Sequence, residues 1–411
     1  MAYSIFISYR RKNSTWFAGR LYDSLKNRFN GLEIFMDVDE IEGGEIFKQK
    51  IDKAISAATS KNGNIITINL DKNKFTNIDK SQFQKAPDLT QISGYLNTPN
   101  NNQPIHLANY KGKVVLIDFW TYSCINCIRT IPYLNDWYSK YADKGFVIIG
   151  VHSPEFEFEK NYDNVKTAVQ KFGIMYPVVL DNNLGTWNAY GNQYWPRHYL
   201  IDAQGYIRED HIGEGGYAET EKTIQSLLAE RAALDGLKQI SFSTKTAPTI
   251  NSKSLQYIDL SKQTTPELYL GYSYARSPLG NSQNFEPEQT VTYTIPSNTN
   301  LQPNIVYLDG QWKNNRDNIE LQGNSGSIIL TYYAKAVNIV ASGKGQTGTV
   351  TEDGNSKIPI KSIGTDLNND GKFILNGQRL YNLALHDSYG VHSIIINVKG
   401  KGFQLYTFTF G

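Results

Sequence analysis

The two cysteines of this 411-residue chain stand three positions apart, in Phe119-Trp120-Thr121-Tyr122-Ser123-Cys124-Ile125-Asn126-Cys127, and the residues around them fix a local fold. Val114-Val115-Leu116-Ile117 reads as a buried strand closed by Asp118, and Cys127-Ile128-Arg129-Thr130-Ile131 opens a helical pattern. A strand that turns through the cysteines into a helix sets Cys124 at the helix N-terminus. Unpaired backbone N–H groups and the helix dipole there favour thiolate over thiol. Cys127 lies one turn further on the same face, where it can attack a mixed disulfide formed by Cys124. A zinc site needs about four ligands, and none of the six histidines stands at ligand spacing from the pair. A structural disulfide closing so short a loop would constrain little of the unfolded chain. The pair therefore reads as redox-active, with no metal and no cofactor.

The length predicts two or three domains, and 40% hydrophobic with 12% aromatic residues suffices for sizeable cores. A net charge of +2, from 41 Lys plus Arg against 39 Asp plus Glu, gives no electrostatic case for nucleic acid or a membrane surface. No apolar stretch approaches a transmembrane helix, and Met1 to Arg11 lacks the charged-then-apolar order of a signal peptide, which points to the cytoplasm.

Periodicity divides the chain. Ser4 to Tyr9 and Glu33 to Asp37 read as strands, and residues 14–29 and 45–58 as helices, giving βαβα over residues 1–60, with Asn64 to Leu70 available as a third strand. Residues 61–85 and 236–250 read as linkers around an α/β domain at 86–235. From about Asn251 to Gly411, short alternating runs separated by Gly, Asn, Asp and Pro predict an antiparallel β-sandwich. Its expected strands include Gln256 to Leu260, Ile328 to Ala334 and Val337 to Ala341.

Gly112 to Pro132, with Gly150-Val151-His152-Ser153-Pro154-Glu155-Phe156, Tyr176-Pro177-Val178, Tyr194-Trp195-Pro196-Arg197-His198-Tyr199-Leu200-Ile201-Asp202 and Gly213-Glu214-Gly215, resembles the thioredoxin superfamily, most closely its TlpA-like and DipZ-type members. The resemblance implies a thioredoxin-like α/β domain that exchanges thiols and disulfides with protein substrates and an unidentified electron donor, in an extracytoplasmic setting. It places Asp118 on the buried acid beneath the active site and Pro196 on the cis proline facing the cysteines. A carboxylate at a buried strand end is suited to take and return the proton of Cys127. Glu155 follows a second buried strand at the carboxyl edge of the sheet, where it either tunes the thiols or is a solvated loop glutamate. Trp120 and Trp195 are expected beside the disulfide, and Arg129 near enough to favour the thiolate. Ile125-Asn126 carries neither the histidine nor the proline of other family members, which favours a reductant over a strong oxidant.

Ile5-Phe6-Ile7-Ser8-Tyr9-Arg10-Arg11, Phe35-Met36-Asp37-Val38-Asp39 and Ile41-Glu42-Gly43-Gly44 resemble the first half of a bacterial TIR domain, a flavodoxin-like fold. The pattern breaks after Ser60, before the later helix that carries the glutamate of NAD-cleaving members. The DipZ-type resemblance continues through Pro266-Glu267-Leu268-Tyr269-Leu270-Gly271 and implies a jelly-roll domain like a carbohydrate-binding module. Trp312, Tyr332 and Tyr333 either fill its core, as the area aromatics bury favours, or are exposed and stack on sugar rings, with protein-substrate docking an equal alternative for the domain. The whole reads as multi-domain α/β plus all-β: a thiol-disulfide oxidoreductase with a partial TIR segment in front and a sandwich behind. The other reading is a signalling or binding protein in which the cysteines are only a redox switch.

Overall fold

A computed structural model describes residues 4–8, 33–37, 65–70, 78–243, 253–256, 258–295, 300–355 and 358–411. The chain forms two compact units, one of residues 1–80 with 232–242 and one of residues 81–231 with 243–411.

In the first unit β1 (Ser4–Ser8) pairs parallel with β2 (Glu33–Asp37), from Ser4 opposite Glu33 to Ser8 opposite Asp37. Parallel neighbours need a crossover between them; the helices expected at 14–29 and 45–58 lie outside the described residues. The third strand, β3 (Ile65–Asn69), forms where expected but pairs with β10 (Gln239–Ser243), not with β1 or β2. Each stretch expected as a linker thus contains a strand.

The second unit is built around the strand legible from the sequence. Its first sheet has the order β4-β7-β6-β5-β8-β9, from β4 (Gly94–Leu96), β5 (Val114–Trp120), β6 (Phe146–His152), β7 (Val178–Leu180), β8 (Arg197–Ile201) and β9 (Ile207–Ile212). All seven residues of β5 are buried, as a central strand covered on both faces must be. On one face Val115, Ile117 and Phe119 join Val147, Ile149 and Val151 in a single apolar cluster; alternation turns Asp118 and Trp120 to the other. The helices are α1 (Ile125–Tyr141), α2 (Tyr162–Lys171), α3 (Gly185–Ala189) and α4 (Tyr217–Leu234). The crossovers through α1 and α2 leave β5, β6 and β7 parallel.

The rest of the unit is antiparallel β: β11 (Leu268–Tyr269), β12 (Thr290–Tyr293), β13 (Val306–Asn314), β14 (Ile319–Ser342), β15 (Lys344–Glu352), β16 (Lys372–Asn376), β17 (Arg379–Lys399) and β18 (Gln404–Phe410). The two strands expected at 328–334 and 337–341 are one 24-residue strand whose register against β17 shifts after Ala334. The strand expected at 256–260 is absent from its described residues. Leu405 of β18 pairs with Ile319 and with Ala341, so the two ends of β14 flank β18 and the sheet rolls around its core. Trp312 and Tyr332 are fully buried in that core, the core-filling reading of the two, and cannot stack on an external sugar. Their polar atoms bond internally, Trp312 Nε1 to Asp309 O at 2.9 Å and Tyr332 Oη to Glu352 at 2.7 Å. Tyr333 is exposed and lies beside Tyr389, with ring centroids 6.4 Å apart.

An aromatic seam joins this sheet to the α/β sheet. Phe156 and Phe158, in the segment after β6, meet the ring of Tyr406 at 5.0 and 4.8 Å, and Phe156 also approaches Tyr269 and Tyr274.

Candidate active site

β5 ends at Trp120, and the buried loop Thr121-Tyr122-Ser123 carries the chain into α1. Cys124 is the N-cap of α1, half-buried, and its Sγ accepts the Cys127 backbone N–H at 3.3 Å. That backbone donor is one of those a helix N-terminus leaves unpaired. Cys127, one turn in, is buried and stands as a free thiol beside Cys124. Burial pushes the Cys127 thiol well up, and the hydrogen bond and charge of Cys124 and the charge of Asp118 push it the same way. One sulfur faces the surface while the other holds its proton.

Asp118 is buried at 1% exposure, not a strand-end carboxylate in water. The antiparallel register of β5 and β8 sets it opposite His198. Its Oδ1 lies 3.1 Å from His198 Nε2, off hydrogen-bond alignment, and neither atom has a hydrogen-bond partner. Pro196 is buried and follows a cis peptide bond from Trp195. Because Arg197 pairs with Phe119, Pro196 lies at the end of β5 from which the cysteine loop departs.

Trp120 is buried edge-on to His152 at 5.2 Å, and Tyr122 stacks on the same imidazole at 5.6 Å. Burial pushes His152 down to about 3, so it is a neutral wall under the loop. Trp195 packs on Trp187 with centroids 4.2 Å apart and donates to Ser153 O.

Two expected tuning residues serve other partners. Glu155 aims its carboxylate at the C-terminal sheet, where Tyr269 Oη lies 2.5 Å away and Glu267 is Tyr269's second acceptor at 2.8 Å. The segment turns that way because Phe156 and Phe158 bury in the seam. Arg129 is clasped by both oxygens of Glu214, at 2.8 and 2.7 Å, and also donates to Asn126 Oδ1. Its charge is neutralised locally, and what it does is hold the residue between the cysteines.

Sequence reasoning passed over His198, whose pairing with Asp118 is set by strand register, and Glu159, whose partners lie in a different loop. A groove of about 510 Å³ runs beside the site, with Tyr122, Ile125 and Ile128 on one wall and Gly377, Gln378 and Arg379 on the other. Among the described residues, Glu352, His386 and His392 form one group of metal-ligating type. The two imidazoles stack face to face at 3.7 Å and 3°, which keeps their in-plane lone pairs from converging, and Glu352 already accepts from Tyr332. Glu352 and His386 are buried and His392 is half-buried, and Glu352 Oε2 has no hydrogen-bond partner.

A parallel-cored sheet, a Cys-x-x-Cys at a helix N-terminus, a buried acid beneath it and a cis proline beside it define a thioredoxin-like dithiol domain. Residues 81–228 match the family model described as Redoxin, and residues 265–411 that described as Thioredoxin like C-terminal domain. Thiol-disulfide oxidoreductase ResA of Bacillus thuringiensis (strain Al Hakam) is 31% identical over 140 residues, 34% of this chain and 75% of ResA. The chain belongs to the thioredoxin-like thiol-disulfide oxidoreductases. Protein DipZ of Mycobacterium tuberculosis (strain CDC 1551 / Oshkosh) is 39% identical over 327 residues, 79% of this chain and 43% of DipZ. The chain thus spans less than half the length of that relative. A thioredoxin-like protein solved in solution in its oxidised form covers 36% of this chain and 97% of its own at 29% identity and TM-score 0.33. Among the described residues no helix is long and apolar enough to cross a membrane.

Proposed function

We propose that this chain reduces protein disulfides by dithiol exchange through Cys124 and Cys127, with Asp118 handling the second proton and Pro196 bordering the bound substrate. The observation that carries the reading is the asymmetry of the pair, one sulfur accessible at a helix N-terminus and the other buried and protonated. Cys124 as thiolate attacks one sulfur of a substrate disulfide; the other sulfur leaves as a thiolate and takes a proton from water. Asp118 then accepts the Cys127 proton. Cys127 attacks Cys124 Sγ, the substrate's second thiol departs with that proton, and the chain is left as a disulfide. Two electrons have moved to the substrate, and an external dithiol donor restores the pair.

The groove beside Ile125 supports a protein segment as substrate, since a small disulfide needs no second wall. With Trp312 and Tyr332 in the core, the C-terminal domain is read as a docking and supporting domain, with the exposed Tyr333 and its neighbour Tyr389 as candidate ligand-stacking aromatics. Residues 1–60 are read as a partial TIR-like segment, supported by the in-register parallel pairing of β1 and β2. The reading is tested with insulin as substrate and a dithiol as donor. Cys124→Ser is expected to abolish turnover, and Cys127→Ser to accumulate a mixed disulfide visible by mass spectrometry. Sustained turnover by Cys127→Ser would exclude the dithiol mechanism.

A further inference from the structure

The loop that presents Cys124 is held from below by one carboxylate. Glu159 is fully buried, in a 3-10 turn at Glu157–Lys160, and no step of the dithiol exchange uses it. Its Oε1 accepts the Ser123 hydroxyl at 2.5 Å. Its Oε2 accepts the backbone N–H groups of Glu155 and Phe156 at 2.6 and 2.9 Å. A carboxylate has about four acceptor sites, and here three donors occupy them, one from the nucleophile loop and two from the segment after β6. That segment is pinned to the C-terminal sheet by the rings of Phe156 and Phe158 on Tyr406 and by the donation of Tyr274 Oη to Glu155 O. A continuous chain of contacts therefore runs from the C-terminal sheet, through Glu159, to the residue before the nucleophile.

We propose that Glu159 is a positioning residue for Cys124, and that through it the C-terminal sheet holds the nucleophile loop in its reactive geometry. The inference rests on the dithiol reading and adds a second domain to the reacting unit. Misplacement of a reacting group by about 1 Å costs on the order of 100-fold in rate, so loss of the tether is expected to register strongly.

The test measures two quantities on the full-length chain: insulin reduction, and the rate and pH profile of Cys124 alkylation by iodoacetamide, which needs no bound substrate. Ser123→Ala and Glu159→Ala are expected to slow both by roughly 10-fold or more while the far-ultraviolet circular dichroism is retained. Glu159→Gln keeps one oxygen for the two backbone donors and turns its amide to the Ser123 hydroxyl, which can accept. It is expected to restore most of what Glu159→Ala loses. Tyr406→Ala, in the other sheet, is expected to slow alkylation in the same direction. If Glu159→Ala does not fold, Ser123→Ala and Tyr406→Ala decide alone. Ser123→Ala with wild-type alkylation and turnover would overturn the positioning role, as would Glu159→Gln behaving no better than Glu159→Ala. Wild-type Tyr406→Ala would remove the C-terminal sheet from it. A wild-type chain that fails to reduce insulin would sink the dithiol reading itself, a separate result.

Discussion

At the scale of single residues the chemistry depends on two neighbours placed in opposite environments. Cys124 meets solvent and a backbone donor, while burial keeps Cys127 protonated until a base removes its proton. Asp118 is the acid whose charge reaches Cys127, and His198 is the one polar side chain the register sets against it. Asp118→Asn keeps the shape of the side chain but cannot accept a proton. It is therefore expected to leave the fold intact and to slow resolution of the mixed disulfide near neutral pH by roughly 10-fold or more, the usual size of a general-base contribution being 100- to 10,000-fold. Stopped-flow kinetics of mixed-disulfide decay against pH measure this. A profile identical to wild type would return Asp118 to a purely structural role.

At the scale of elements, β5 and α1 were legible because their signals are local: an unbroken apolar run, then a cysteine cap and a 3.6-residue pattern. Cys124 and Cys127 needed only the order of residues along the chain, and Asp118 and Pro196 needed the family resemblance as well. Glu159, His198 and Glu214 were not legible, because each acquires its role from a partner 36, 80 and 85 positions away. The partners of Glu155 and Arg129 were hidden for the same reason, since nearness in sequence to the cysteines did not reveal Tyr269 or Glu214. In the C-terminal sheet, β15 escaped notice because Lys344-Gly345-Gln346-Thr347-Gly348 has no apolar alternation, and β14 was divided where Lys335 interrupts the register. The clasp between α1 and the loop after β9 carries its own prediction. Arg129 and Glu214 have side chains only 7% and 10% exposed. Removing one partner leaves a buried charge, which costs about 3–5 kcal/mol. Glu214→Ala is expected to lower stability by about that amount in urea unfolding, and Arg129→Met with Glu214→Leu to recover much of it. Wild-type stability in Glu214→Ala would show that solvent reaches the guanidinium.

At the scale of the whole second unit, the two sheets meet through a cluster of acids around one phenol. Tyr269 Oη has a single proton, yet carboxylate oxygens of Glu155 and Glu267 lie 2.5 and 2.8 Å from it. Both contacts are hydrogen bonds only if one glutamate is itself protonated. Burial, with the charge of Glu159 behind it, pushes Glu267 up to about 7, against the pull of Tyr269 and Arg276. Burial and the charges of Glu267 and Glu159 push Glu155 well up in the same way. Below an ordinary carboxyl value of about 4.5, folded and unfolded chains hold this proton alike. Between there and about 7 the unfolded chain releases it while the folded chain keeps it, so the unfolded state binds fewer protons and stability falls as pH rises. The melting temperature is therefore expected to decline from pH 5 to pH 8, through this seam. Glu267→Gln, which cannot ionise and still accepts from Tyr269, is expected to flatten that decline. Differential scanning fluorimetry across the range checks both, and a Glu267→Gln slope equal to that of wild type would mean that the proton is stored somewhere other than between the two sheets.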